Sequence, residues 1–228
     1  MKSNVIRLGF LISSIMTSCT LYYPQIVDIP LISKKNDLRV DAGISIVPTI
    51  HATISYGLTK KIAIQGFGSI GADDGYYYQA AAGLFKKKEN NRVIELYGGY
   101  GFGYGDQYKD ANPGNLYGKY QLYFAQLNYG QIASENSNLE IGFGIKSGLL
   151  HSNLLDQNYY AWTSETGPFD SYIDNSLLFE PAGFIRMGGQ KFKFSIKLGG
   201  TLIYKFTNTE QYFPYSYLNL GLGISIRP

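Results

Sequence analysis

The chain of 228 residues holds one cysteine, one tryptophan and two histidines. A lone thiol closes no internal disulfide, and with only His51 and His151 beside it there is no zinc-type ligand set. Two histidines also leave little material for general acid–base chemistry. No apolar run reaches the roughly 20 residues that a membrane helix needs. A surplus of one charge is missing too: 20 basic residues stand against 17 acidic ones, which gives a nucleic-acid role no electrostatic basis. Glycine and tyrosine are what the chain has in quantity, 27 and 21 residues. That balance argues against a helical bundle. A chain of this kind that crosses a membrane must do so as a closed barrel.

The N-terminal residues read as an export signal. Lys2 and Arg7 supply a positive start, and Leu8 to Met16 form an apolar segment too short to span a bilayer. The segment Met16-Thr17-Ser18-Cys19 resembles a bacterial lipobox, in which small residues precede a cysteine. The resemblance implies a Gram-negative export route, cleavage before Cys19, a diacylglyceryl group on its thiol and acylation of the new N-terminus. Each buried methylene of those acyl chains contributes about 0.8 kcal/mol to membrane binding. No other cofactor is expected. Residues 1–18 are then a lipoprotein signal peptide, 19–36 an N-terminal tether and 37–228 the folded domain. Losing Lys2 and Arg7 leaves the mature chain with 18 basic residues against 17 acidic ones.

From residue 37 onward the sequence alternates. In SYLNLGLGISIRP, Leu218, Leu220, Leu222, Ile224 and Ile226 take one face, and Asn219, Gly221, Gly223 and Ser225 the other. KFKFSIKLGG places Phe192, Phe194, Ile196 and Leu198 opposite Lys193, Ser195, Lys197 and Gly199. Period two over such lengths means strands with one apolar face. Ten strands are expected, near 37–47, 49–58, 61–70, 76–86, 92–104, 117–130, 138–150, 176–187, 191–205 and 215–227, with eight as the alternative. A slip of face within 117–130, and Pro181 inside a strand, suggest bulges.

Alternation alone does not say which face meets water. Connections settle it: TKK, KKENN and GGQ are short and alternate with longer runs, as in outer-membrane barrels. Tyrosines such as Tyr76, Tyr77, Tyr78, Tyr100, Tyr104 and Tyr120 gather at the long-loop ends, where a ring with a polar tip suits a membrane interface. Glycines on the polar face suit a narrow lumen. The glycine- and tyrosine-rich alternation resembles small outer-membrane β-barrels of Gram-negative bacteria. That resemblance implies an all-β, closed antiparallel transmembrane barrel in the outer membrane, and the even strand count puts both termini on the periplasmic side.

The polar face carries Arg39, Asp41, Glu95, Lys119, Glu140, Lys146, Glu180, Arg186, Lys193 and Lys197. Charges at this density inside a barrel must pair. They read as a salt-bridged plug, or alternatively as an ion path with slight anion preference. LLHSNLL faintly resembles the His–Ser region of outer-membrane lipid A deacylases. There the two residues lie two apart on one face, whereas His151 and Ser152 are adjacent and point apart. No catalytic residue is therefore assigned, and Asp73 with Asp74 falls short of a calcium site. The run 151–174 reads as the longest loop. Its Tyr159, Tyr160, Trp162, Phe169 and Tyr172 form a candidate partner surface, or alternatively a lid. The expected role is a non-enzymatic, lipid-anchored outer-membrane barrel, a structural or accessory subunit that contacts lipid and another outer-membrane protein or complex. A lipid-modifying enzyme and a small channel are the alternatives.

Overall fold

The computed structural model describes Tyr22 and residues 26–71, 74–109, 114–134, 138–159, 166–206 and 215–228. The alternation becomes eleven antiparallel segments: β1 (Leu38–Ser45), β2 (Thr49–Gly57), β3 (Ile62–Gly71), β4 (Tyr76–Lys87), β5 (Arg92–Lys109), β6 (Gly114–Gln131), β7 (Leu139–Tyr159), β8 (Thr166–Gly188), β9 (Phe192–Gly200), β10 (Leu202–Lys205) and β11 (Leu218–Ile226). β9 and β10 are two lengths of one stave, interrupted at Thr201, and both pair with β8. The wall therefore has ten staves. Each pairs with the next, and β11 closes on β1 from Val40↔Ile226 to Ser45↔Gly221.

The apolar face of nearly every stave points outward. Phe194 (65 % exposed), Leu222 (55 %) and Ile141 (50 %) stand on the outer wall, while Lys193, Ser195, Lys197 and Glu140 are buried inside. A water-soluble barrel would have the opposite arrangement. The outer wall also carries ring contacts toward the long-loop end: Tyr76 with Tyr104 at 6.0 Å, Tyr78 with Phe102 at 5.7 Å and Tyr100 with Tyr123 at 5.1 Å. Tyr77 and Tyr120, grouped with these by sequence, instead point into the lumen and are buried.

Neither expected bulge is present. β6 keeps an unbroken register with β5 and β7. The apparent slip arises because the inward residues change character, from Gln126 and Asn128 to Leu122 and Phe124. Pro181 lies opposite the break between β9 and β10, where its missing N–H takes nothing from the ladder.

The run 151–174 is not a loop. β7 continues to Tyr159 and β8 begins at Thr166, paired from His151↔Asn175 to Asp156↔Asp170. With β5 and β6 these strands are 18 to 23 residues long. A bilayer crossing uses about 9–11 residues. The surplus of about ten residues, at ~3.3 Å each and tilted by about 45°, makes a four-stranded wall standing roughly 20–25 Å beyond the rim at the long-loop end.

The expected tether is corrected as well. Residues 26–32 are all buried, as is Tyr22, and they run inside the barrel. Tyr22 forms a parallel bridge with Tyr215, just before β11 at the long-loop end. Residues 33–37 lie at the short-turn end, where Asn36 N–H donates to Gly57 O (2.7 Å) before β1 begins. An acidic residue inside an otherwise apolar segment, Asp28, gives it partners within the lumen.

Candidate functional site

The lumen is built in two storeys around this internal segment. The lower storey, toward the short turns, is ionic. Arg39 on β1 meets Glu140 on β7 at 2.6 Å and also donates to Pro30 O. Arg186 on β8 lies between Asp41 (3.4 Å), Asp28 (3.7 Å) and Glu140 (3.7 Å), donates to Ile29 O at 2.8 Å, and stacks over the Phe184 ring at 3.9 Å. Lys197 on β9 pairs with Asp28 at 2.6 Å. The Asp28 carbonyl accepts from Gln126 on β6 (2.9 Å) and Gln65 on β3 (3.3 Å). Glu95 accepts from the Ile32 N–H (2.6 Å), Asn128 (2.9 Å) and the Tyr97 hydroxyl (3.3 Å). Lys193 donates to Gly189 O at 2.8 Å.

Arg39, Arg186, Lys197, Gln65, Gln126 and Glu95 each reach the internal segment. Apart from Asp174, which pairs with Lys205 toward the long-loop end, the inward strand cations Arg39, Lys146, Arg186, Lys193 and Lys197 outnumber the inward strand acids Asp41, Glu95, Glu140 and Glu180. Asp28 restores the balance from the inside. Inward glycines make the room: a Cβ on Gly221 would lie 2.7 Å from Ile26 Cδ1, one on Gly130 2.8 Å from Leu31 Cδ1, and one on Gly144 3.0 Å from Ile29 Cγ1. The glycine content is, in part, the mould of the plug.

The upper storey is aromatic and aliphatic. Tyr22 packs among Tyr77, Tyr97, Tyr120, Leu122, Phe124, Leu150, Leu154 and Leu178. Tyr22 meets Tyr120 edge-on at 5.3 Å and donates its hydroxyl to Glu180 at 3.0 Å. Glu180 in turn pairs with Lys146 at 2.9 Å, whose ammonium sits 5.5 Å from the Phe124 ring centre.

Nine of the ten sequence-assigned lumen charges face inward. Lys119 does not: it is exposed on the outer face, flanked inward by Gly118 and Tyr120. It stands on the projecting wall above the apolar belt, where outward positions turn polar and the contrast used to assign faces disappears. Of the proposed partner residues, Tyr172 turns inward and packs against the upper cluster. Tyr159 and Phe169 lie within β7 and β8. Tyr160, Trp162 and Cys19 lie outside the described residues. Asp28, Asp37 and Arg227 were not among the assigned charges: Asp28 precedes the strands, and Asp37 and Arg227 flank the ends of β1 and β11.

Arg227 forms an ion pair with Asp37 at the short-turn mouth. Burial acts against the Asp37 carboxylate, but the hydrogen bond and charge of Arg227, helped by Ser33, hold its carboxyl below the usual range. His151 Nδ1 lies 2.8 Å from Asn175 Oδ1 on the outer face, whereas Ser152 is buried inside, so the two share no site. His51 faces the lumen and stacks on Phe67 at 6.0 Å. Among the described residues, no three His, Cys, Asp or Glu side chains come together as a metal site.

A closed ladder with paired charges inside and an apolar wall outside defines a transmembrane β-barrel of the outer-membrane type. No family model matches the chain, and no curated protein does. A solved structure, the N-terminal β-barrel domain of Pseudomonas aeruginosa OprF, is similar over 85 % of this chain and 98 % of that one, at 14 % identity and a TM-score of 0.33.

Proposed function

We propose that the protein is a lipid-anchored outer-membrane barrel with a non-enzymatic role, a structural or accessory subunit that engages another outer-membrane protein. The observation that carries this reading is the filled lumen. With Asp28 paired to Lys197 and Arg186, and Ile26, Ile29 and Leu31 seated against inward glycines, the described internal segment occupies the lumen. The surfaces left for interaction are the outer wall and the projecting hairpins β5–β6 and β7–β8. A channel is disfavoured on the same ground, and an esterase-like enzyme by the opposed directions of His151 and Ser152.

The test has two arms. Purified protein in a planar bilayer should show conductance near background; a steady large pore supports the channel reading instead. Replacing residues 157–168 by a short turn should leave a folded barrel, because its ring closes below that level. The variant should lose the partner that co-purifies with the wild type. Unchanged co-purification would move the contact to the lipid-facing wall. Lipidation is read separately, from the mass of the N-terminal peptide beginning at Cys19.

A further inference from the structure

The internal segment has a direction. Its lower end is fixed at the short-turn mouth: Asn36 donates to Gly57 O, and Asp37 is held by Arg227, the penultimate residue of the chain. Its upper end is fixed at the long-loop mouth. There Tyr22 bridges Tyr215, touches Tyr120 and bonds Glu180. Between them, Asp28 is gripped from β3, β6, β8 and β9. Ten residue steps from Tyr22 to Ile32 extend at most about 33–36 Å, enough to cross a hydrocarbon layer of about 30 Å.

The regular ladder between the last two staves ends where this segment reaches the top. The β11–β9 ladder runs to Leu218↔Gly200; above it Thr201 N–H donates to Tyr217 O at 3.0 Å and Ile203 N–H to the Tyr215 hydroxyl at 3.4 Å, while β10 continues the pairing with β8. The Tyr22–Tyr215 bridge lies beside that ladder end, near the outward rings of Tyr204 (70 % exposed) and Tyr217 (60 %).

We infer that the chain passes through its own barrel, so that its mature N-terminus lies on the long-loop face, across the membrane from Pro228. For a barrel whose short turns face the periplasm, that is the outside of the cell. This part rests on the transmembrane reading alone. Cys19 is three residue steps from Tyr22, about 10 Å of extended chain, and cannot reach back to the short-turn mouth. If Cys19 carries the acyl group proposed above, the acyl chains lie in the outer leaflet. The expectation that both termini share the periplasmic side is replaced by opposite sides.

The experiment places a cleavage site for a sequence-specific protease between Thr20 and Leu21 and an epitope after Pro228. The variant is used once it runs as a heat-modifiable folded band. Protease added to intact cells should cut the N-terminal site, while the epitope stays inaccessible to antibody until the outer membrane is permeabilised. Cleavage only after permeabilisation, together with epitope exposure, overturns the inference. Should the insertion not fold, Thr20→Cys labelled with a membrane-impermeant maleimide gives the same readout. The released peptide separates the two readings by mass. A free Cys19 thiol on a peptide cut from outside removes the lipid anchor but leaves the threading intact.

Discussion

Replacing Asp28 by alanine removes the carboxylate through which the N-terminal segment is bound electrostatically to the wall. Its Oδ1 lies 2.6 Å from Lys197 and 3.7 Å from Arg186, and all three groups are buried. Arg186 keeps Asp41 and Glu140, but Lys197 is left facing an apolar methyl. Breaking one partner of a buried pair costs about 3–5 kcal/mol, because the remaining charge stays out of water. For a domain near this size, each kcal/mol lowers the midpoint by about 2–4 °C, so a fall of about 6–20 °C is expected. The assay is the temperature at which the compact band is lost on a gel, supported by urea unfolding in detergent. Asp28→Ala with Lys197→Met should recover much of the loss, since neither charge then remains unpaired. A midpoint within a degree or two of wild type, or losses that simply add in the double variant, would refute the seating of the segment against β9.

Adjacent glycines on β5 should respond oppositely. A Cβ on Gly99 would lie 2.6 Å from Ala80 O and 2.5 Å from Phe124 Cζ, so Gly99→Ala should cost about 1–3 kcal/mol, whereas Gly98→Ala, with nothing closer than 4.0 Å, should fold as wild type. Glu140→Ala should destabilise by about 3–5 kcal/mol through loss of the Arg39 pair, while Lys119→Ala leaves the midpoint unmoved. Because the folded-state pKa of Asp37 is depressed, its contribution is complete above the usual carboxylate pKa and is lost as pH falls through the folded value. Urea midpoints of the wild type should therefore drop below about pH 4, and Asp37→Asn should flatten that part of the profile.

The staves were legible where the wall meets lipid and the lumen is polar. In β9 and β11 every second residue changes from hydrocarbon to Lys, Ser, Asn or Gly, and the period is plain. It fades where either condition fails. Above the rim the outward positions Lys119, Gln121, His151 and Asn153 are polar, while Tyr120, Leu122, Leu150 and Leu154 point inward. Both faces then mix, so β7 and β8 read as a loop over 151–174. The internal segment escaped for a different reason: IVDIPLI is buried all round and has no period to detect. Its signal was chemical. An acid within an apolar run must find cations, and the inward strand residues Lys197 and Arg186 supply them.

Why the plug belongs to the N-terminus follows from how the ring closes. Closure joins β1 to β11, the first stave to the last, and the residue that follows β11 is Arg227. Its guanidinium binds Asp37 and donates to Ser33 Oγ at 3.1 Å and Leu31 O at 3.3 Å, and it lies 3.9 Å from Glu140. Leu31, Ser33 and Asp37 form the lower end of the internal segment, and Glu140 belongs to the lumen network that pairs with Arg39 and Arg186. The last strand thus cannot take its register on β1 without also placing Arg227 against the plug and the charges around it. An unseated segment leaves Arg227, Lys197 and Arg186 short of their acids, so ring closure and plug seating stabilise one another. A filled lumen in this barrel therefore supports its closure, in keeping with the proposal that its interactions lie on the outer surfaces.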